Sequence, residues 1–364
     1  LKSLDNKILI KGNEAIAEAA IRSGCKHYYG YPITPQTELT AYMAKNLPPI
    51  GGTFIQAESE VAAINMVYGS AAAGARTMTS SSSPGISLKA EGISYIAAAD
   101  LPCVIVNIMR AGPGLGGIQP SGADYFQATK ACGHGDYHLI VLAPNSVQEI
   151  VEITYDAFDI ADKYRVPVMI LGDSILGQMM EPADFSTKKE PETPLPNKDW
   201  AATGTKMKRE HNVINTLYLR AYHLEKIINE RQEKYNLIKK NETRFSTYLV
   251  DDAEYVIVAY GTMSRIAKSA IDLLRNQGVK VGMIRPITLY PFPDEIINTT
   301  AKNIKSFLCV EMSMGQMIED VKLAVNGICP VEFYGRTGGV VPNQIEIVDK
   351  ILEMIGGNSF GKDL

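Results

Sequence analysis

The chain of 364 residues is 46% hydrophobic and 21% charged, the mix of a soluble globular protein with room for two or more domains at ~150 residues each. A net charge of -4, from 36 basic and 40 acidic residues, argues against a nucleic-acid binder of the basic-patch kind. No apolar run approaches the ~20 residues of a transmembrane helix, and the opening LKSLDNKILIKGNEA lacks the apolar stretch of a signal peptide, so a soluble, cytoplasmic protein is expected.

From position 13 to about 172, helix and strand patterns alternate. GNEAIAEAAIRSG suggests a helix with Asn13 as N-cap and Gly24 as its stop. A short strand is expected at 26–29, broken by Gly30 and by the YPITP loop, whose prolines forbid a central strand. Helical composition at 36–46 precedes a short strand at 53–56 and an Ala/Gly-rich helix over about 58–74. A strand at 76–80 leads into SSSSPG and a helix at 86–99. PCVIVNIM at 102–109 is a near-continuous apolar run, the mark of a strand covered on both faces, and 138–143 and 167–171 share it. This order predicts a doubly wound parallel sheet.

Composition then shifts. KKEPETPLPNK is rich in proline and charge, as linkers are. Positions 206–241 carry dense charge with Leu, Ile and Tyr at helical spacing, which suggests an exposed helical arm with a solvated charged face. A second α/β unit follows, with strands in EYVIVAYG, KVGMIRP, KSFLCVEMS and PVEFYG, and helices over 264–276, after Pro293, over about 315–325 and over 345–355. The expected architecture is two doubly wound α/β domains, 1–185 and 253–364, joined by a charged linker and arm at 186–252.

Several familiar motifs fail on spacing. The five cysteines, Cys25, Cys103, Cys132, Cys309 and Cys329, form no CxxC pair, so a zinc site or iron–sulfur cluster on this chain alone is not expected. They are expected to be reduced core residues. GPGLGG at 112–117 follows a strand but lacks dinucleotide-fingerprint spacing. The run of serines at 80–83 fits no G-x-S-x-G elbow, and His134 and His138, the nearest histidines, belong to no HExxH.

Parallel sheets place ligands beyond the carboxyl ends of their strands. The polar residues expected there are Thr34 in YPITP, Glu58 and Glu60 in QAESEVAA, and Arg110 after PCVIVNIM. An arginine at that point answers to an anion or a carboxylate. Glu60 is equally compatible with a helix start, since acids favour N-termini, and Arg110 with an internal ion pair.

GYPITPQTE, AESEVAA, SSSSPGISLKAEGI and MRAGPGLG, in that order, resemble the 2-oxoacid:ferredoxin oxidoreductases, in particular the α-type subunit that carries the pyrimidine-binding domain for thiamine diphosphate. LAPNSVQE and VPVMILGDSILG continue the likeness. VEMSMGQM is similar to that subunit's second domain, which is related to the transketolase C-terminal domain. The resemblance implies that Glu60, matched through its spacing to Gly69, bonds N1′ of the aminopyrimidine and favours the imino tautomer whose N4′ takes the C2 proton. It implies that Thr34 lies near the substrate carbonyl and that Arg110 pairs with the 2-oxoacid carboxylate.

The GDG motif that holds diphosphate and Mg²⁺ in thiamine enzymes is missing, since Gly135-Asp136 continues with Tyr137 and Gly172-Asp173 with Ser174. The resemblance therefore implies that the diphosphate and Mg site lies on a β-type partner subunit. The [4Fe-4S] clusters are implied on a ferredoxin-like iron–sulfur subunit, alongside a γ-type subunit, with coenzyme A and ferredoxin as reaction partners. MRAGPGLGGIQPSGADYF is closer to the branched-chain, 2-oxoisovalerate type than to the 2-oxoglutarate type. The alternatives are a 2-oxoglutarate- or pyruvate-specific member, or a scaffold subunit that binds no cofactor. Intact Thr34, Glu60 and Arg110 argue against the scaffold.

Overall fold

The computed structural model describes residues 6–130, 132–187 and 194–356; positions 188–193, the first part of the expected linker, lie outside the described residues. The first unit runs β1 Lys7–Lys11, α1 Gly12–Arg22, β2 His27–Gly30, α2 Thr37–Asn46, β3 Thr53–Gln56, α3 Glu60–Ala72, β4 Thr77–Ser81, α4 Pro84–Ala98, β5 Cys103–Met109, α5 Tyr125–Thr129, β6 Ile140–Leu142, α6 Val147–Tyr164, β7 Pro167–Asp173, α7 Ser174–Gln178 and β8 Met180–Asp184. Then come α8 Ala221–Glu242, β9 Phe245–Tyr248, β10 Tyr255–Val258, α9 Gly261–Asn276, β11 Val281–Pro286, β12 Thr288–Tyr290, α10 Asp294–Ala301, β13 Ser306–Glu311, α11 Met317–Val325, β14 Val331–Gly335 and α12 Gln344–Met354.

The first sheet has the order β12-β6-β7-β5-β4-β2-β3. Its centre is the pair read from the apolar runs: β5 and β7 are parallel from Cys103↔Pro167 to Met109↔Asp173, and every position of both is buried. Helices cover both faces, which is why these strands need no alternation of apolar and polar residues. A second sheet, β14-β13-β10-β11-β9, carries the second unit, and β1 pairs antiparallel with β8.

Two strands cross the expected domain boundaries. β9, from the segment assigned to the arm, joins the second sheet antiparallel to β11, and β12, from the second unit, joins the first sheet antiparallel to β6. Both are short edge strands, and each sheet is otherwise parallel. The units are thus stitched through the chain itself. Arg285 adds a bidentate pair to Glu149 at 2.6 Å on each oxygen, a geometry that favours guanidinium over ammonium.

The charged arm also differs from expectation. Only 221–242 is helical, and α8 is not free-standing. Arg231, Tyr235, Ile238 and Glu242 fall on one face at helical spacing and are buried. Arg231 and Lys234 reach Asp100, while Glu242 accepts from Lys163 and Tyr164, so the helix is strapped to the first unit. Asn13 is not an N-cap either. Lys11 precedes α1, and buried Asn13 donates to the Pro35 carbonyl at 2.8 Å and to Glu38 at 3.1 Å, pinning the YPITP loop.

Candidate functional site

β5, β4, β2 and β3 are consecutive neighbours and parallel, so the loops at their carboxyl ends share one edge of the sheet. Those loops hold Arg110, the serine run, Thr34 and Glu60. Four segments distant in sequence become one surface because the strand order places them side by side.

Glu60 is the first residue of α3 but not its cap. Ser59 takes that role, its hydroxyl accepting from the Ala62 amide at 3.1 Å. Glu60 is 7% exposed, whereas Glu58 is exposed, which separates the two members of the doublet. No described residue donates a hydrogen bond to the Glu60 carboxylate. A buried acceptor left without protein donors fits a ligand that brings its own. Gly85, in the first turn of α4, makes the space beside it: a Cβ there would lie 2.9 Å from Glu60 Oε1 and 2.0 Å from Ser81 Oγ. Gly85→Ala should fold, because both obstructing atoms are side-chain ends, at a cost of about 1–3 kcal/mol. The displaced carboxylate should lower kcat of the assembled complex about a hundredfold. Thermal unfolding and kcat measured together check the split, and a Tm loss without a kcat loss would show that Gly85 serves packing alone.

Arg110 follows β5 and is 9% exposed. Nη1 donates to the Thr34 carbonyl at 3.2 Å and Nη2 to the Leu115 carbonyl at 3.2 Å, while Nε is buried with no partner. Among the described residues Arg110 forms no ion pair, so the expected alternative of an internal carboxylate partner is not realised. The structure brings Thr34 and Arg110 together. Thr34 itself is exposed at the loop tip.

A buried polar frame supports these loops. Ser83, at φ 20°, donates to Asp124 at 2.6 Å and accepts from the Arg110 amide at 3.0 Å. Asn107 donates to Asp124 at 2.9 Å and accepts from the Ser83 amide at 3.1 Å. Burial raises the Asp124 carboxyl above its ordinary range, against the pull of both bonds. Gln36 Oε1 accepts from Ser80 at 2.5 Å and from Thr40 at 3.0 Å, tying the YPITP loop to the serine run. The second unit reaches in as well: Gln316 bonds the Phe126 amide and the Ala123 carbonyl, and Asp320 accepts from Tyr125.

Residues 18–245 match the family model described as "Pyruvate flavodoxin/ferredoxin oxidoreductase, thiamine diP-bdg", and 253–347 match "Pyruvate:ferredoxin oxidoreductase core domain II". Over 348 residues the chain is 51% identical to "Ketoisovalerate oxidoreductase subunit VorB" of Methanothermobacter marburgensis, covering 96% of this chain and 98% of that protein. The chain belongs to the 2-oxoacid:ferredoxin oxidoreductase family. It is 34% identical to "2-oxoglutarate synthase subunit KorA" of Methanothermobacter thermautotrophicus, over 96% of this chain and 100% of that one. Its fold superposes with a TM-score of 0.86 and 27% identity on a 2-oxoglutarate:ferredoxin oxidoreductase from Magnetococcus marinus, solved with 2-oxoglutarate, coenzyme A and succinyl-CoA bound, covering 96% of this chain and 65% of that one. A split-gene transketolase shares the fold at a TM-score of 0.55 and 16% identity.

In this oxidoreductase subunit Asp173 has a local role. Its carboxylate caps α7, accepting from the Ile175 amide at 2.9 Å and the Leu176 amide at 3.1 Å, and burial raises its pKa. Among the described residues no group of three or more His, Cys, Asp or Glu side chains is arranged to hold a metal ion. Cys25, Cys103, Cys132 and Cys309 are free and buried, Cys329 half-buried; burial pushes the first three thiols up to about 12. No helix among the described residues is long and apolar enough to cross a membrane. The sequence reading missed Gly85, the Ser83–Asn107–Asp124 frame and Lys89, buried in α4 with its Nζ donating to Thr79 Oγ1 at 2.7 Å and to the Ser80 carbonyl at 3.0 Å. Gly85 and Lys89 had a signal: a proline–glycine pair opening a helix, and one lysine on a largely apolar stripe.

Proposed function

We propose that this chain is the α-type subunit of a 2-oxoacid:ferredoxin oxidoreductase that oxidatively decarboxylates 2-oxoisovalerate to an acyl-CoA and CO2, passing electrons to ferredoxin. The observation that carries the reading is a pair of buried, unspent charges at the carboxyl ends of β3 and β5, on the same edge of the sheet: Glu60 without a protein donor and Arg110 without a carboxylate, its Nε unpartnered. Glu60, its carboxylate seated close against Gly85 near the unpartnered buried hydroxyl of Ser81, would meet the aminopyrimidine of thiamine diphosphate. When bound, that cofactor supplies the electron sink for decarboxylation. Arg110 would fix the substrate carboxylate, with its free Nε completing a charge-assisted contact, and Thr34 would stand at the carbonyl end.

Diphosphate and Mg²⁺ would be held by a β-type subunit, and [4Fe-4S] clusters by a ferredoxin-like subunit, with a γ-type subunit completing the assembly in the cytoplasm. The domain division 1–185, 186–252 and 253–364 belongs to the same proposal, with β9 and β12 as exchanged edges. Supporting the β-type partner, β3 and the loops and first turns of helices after the parallel strands expose Ile55, Tyr31, Val61, Leu88, Leu115 and Ile118, a rim apolar enough to need cover. Identity favours the branched-chain substrate, at 51% and 49% to the two ketoisovalerate subunits against 34–35% to the 2-oxoglutarate ones.

Purification with native partners, followed by a 2-oxoacid panel with a viologen acceptor, tests this. Coenzyme-A-dependent viologen reduction should be fastest with 2-oxoisovalerate. Preference for 2-oxoglutarate or pyruvate would reassign the substrate, and a complex that turns over with this chain's Glu60 and Arg110 both replaced would make the chain a scaffold.

A further inference from the structure

The five-residue helix α5 opens at Asp124, a residue type that ordinarily caps its own helix by accepting from the second or third amide. Here it does not. The Asp124 carboxylate turns away to accept from Ser83 Oγ at 2.6 Å and from Asn107 Nδ2 at 2.9 Å, and it makes no cap bond. The amide left over, that of Phe126, donates instead to Gln316 Oε1 from the second unit at 2.8 Å, while Gln316 Nε2 donates to the Ala123 carbonyl at 2.7 Å. One side chain thus takes both main-chain groups that bracket Asp124 and Tyr125. Gln316 is itself fixed, since its amide and those of Met317 and Ile318 donate to the buried Glu311 carboxylate at 3.1, 2.9 and 3.0 Å. The Gly122 amide also donates to the Met312 carbonyl at 2.9 Å, so the second unit holds this turn at more than one point.

We propose that Gln316 is a positioning residue for Arg110: by capping α5 in place of Asp124, it leaves the Asp124 carboxylate to hold Ser83, whose hydroxyl accepts from the Arg110 amide. Ser83 Oγ has one proton, which goes to Asp124, and a lone pair takes the Arg110 amide at 3.0 Å. Without Gln316 the Phe126 amide becomes an orphan at a helix start, and Asp124, in the cap position, is placed to turn back to it. Ser83 then loses its acceptor, and the main chain that carries the Arg110 guanidinium loses its anchor. The second domain supplies none of Thr34, Glu60 and Arg110, and it acts on substrate capture through this side chain. The proposal rests on the reading that Arg110 binds the substrate carboxylate.

The test is steady-state kinetics on the complex with its native partners, using the 2-oxoacid it turns over fastest and a viologen acceptor. Gln316→Met removes the cap at nearly constant volume, and Gln316→Glu keeps an acceptor for the Phe126 amide. Loss of about one hydrogen bond's worth of positioning should raise KM about three- to tenfold in the Met variant, with kcat and exchange of the cofactor's C2 proton within about twofold of wild type. The Glu variant should recover most of that loss. Because Gln316 acts through Arg110, the Met substitution should add nothing to KM in an Arg110→Ala background. An unchanged KM in the Met variant, equal losses in the Met and Glu variants, or a KM increase that persists in the Arg110→Ala background would each overturn the proposal. Failure of both variants to assemble would overturn it too, since Gln316 would then hold the fold alone. Arg110→Ala with a wild-type KM would instead take down the reading of Arg110, and the proposal with it.

Discussion

Glu60→Gln should slow exchange of the C2 proton of thiamine diphosphate in the assembled complex by about 10²–10⁴-fold, the range of a lost acid–base group. The substitution keeps shape and volume and removes only the ability to share a proton with N1′. The environment makes the effect specific. The carboxylate is buried, Ser59 already caps α3, and no described residue donates to it, so its acidity has no local structural use. A helix-start role would predict a different result: a loss of up to about 1 kcal/mol in stability with exchange unchanged. Glu58→Gln, at an exposed position, should leave exchange at the wild-type rate. Exchange followed by NMR in both variants separates the two carboxylates.

Arg110→Ala should lower kcat/KM for the 2-oxoacid at least tenfold, mainly through KM, while cofactor binding stays unchanged. A hydrogen bond to a charged group contributes roughly 1.5–3 kcal/mol, which converts to about ten- to a hundredfold. The same substitution frees the carbonyls of Thr34 and Leu115, so some loss of loop order accompanies it. Arg110→Lys separates these effects. An ammonium restores the charge but cannot reach two diverging carbonyls and a carboxylate with one planar fork, so rescue should be partial. Steady-state kinetics beside a cofactor titration checks the split; equal loss in both would assign Arg110 to loop structure rather than to substrate.

Much of the fold is legible because burial writes itself into composition. CVIVNIM and PVMILGD can be nothing but central strands once helices cover both faces, and the site follows from where such strands end. What escapes is whatever depends on a distant partner. Asn13 has the form of an N-cap, yet it turns inward because the Pro35 carbonyl, across the next loop, needs a donor. Residues 288–290 look like part of the second unit, and only the open edge at β6 draws them to the first sheet. α8 carries too much charge to suggest burial, and its inner face is settled by Asp100 and Lys163, which lie far back in the chain.

The site shows the same division. Thr34, Glu60 and Arg110 are visible in the sequence as polar residues at strand ends. Their surroundings are not, because Gly85 matters through the oxygens of Ser81 and Glu60, from β4 and α3, and Lys89 through the Thr79 hydroxyl and the Ser80 carbonyl of β4. A lysine at apolar spacing, three residues after Ile86 and four before Ile93, is nonetheless a mark that sequence carries. Such a residue asks what pays for its burial.

The central claim is that this chain holds one half of a cofactor site, and calorimetric titration with Mg-thiamine diphosphate tests it most directly. The lone chain should give no saturable heat in the micromolar range, because a pyrimidine contact without a diphosphate and Mg site supplies a small share of the binding energy. The complex with its native partner subunits should bind tightly and lose that binding when Mg²⁺ is chelated. Micromolar, Mg-dependent binding to the lone chain would contradict the account, since the diphosphate would then be held by residues of this chain.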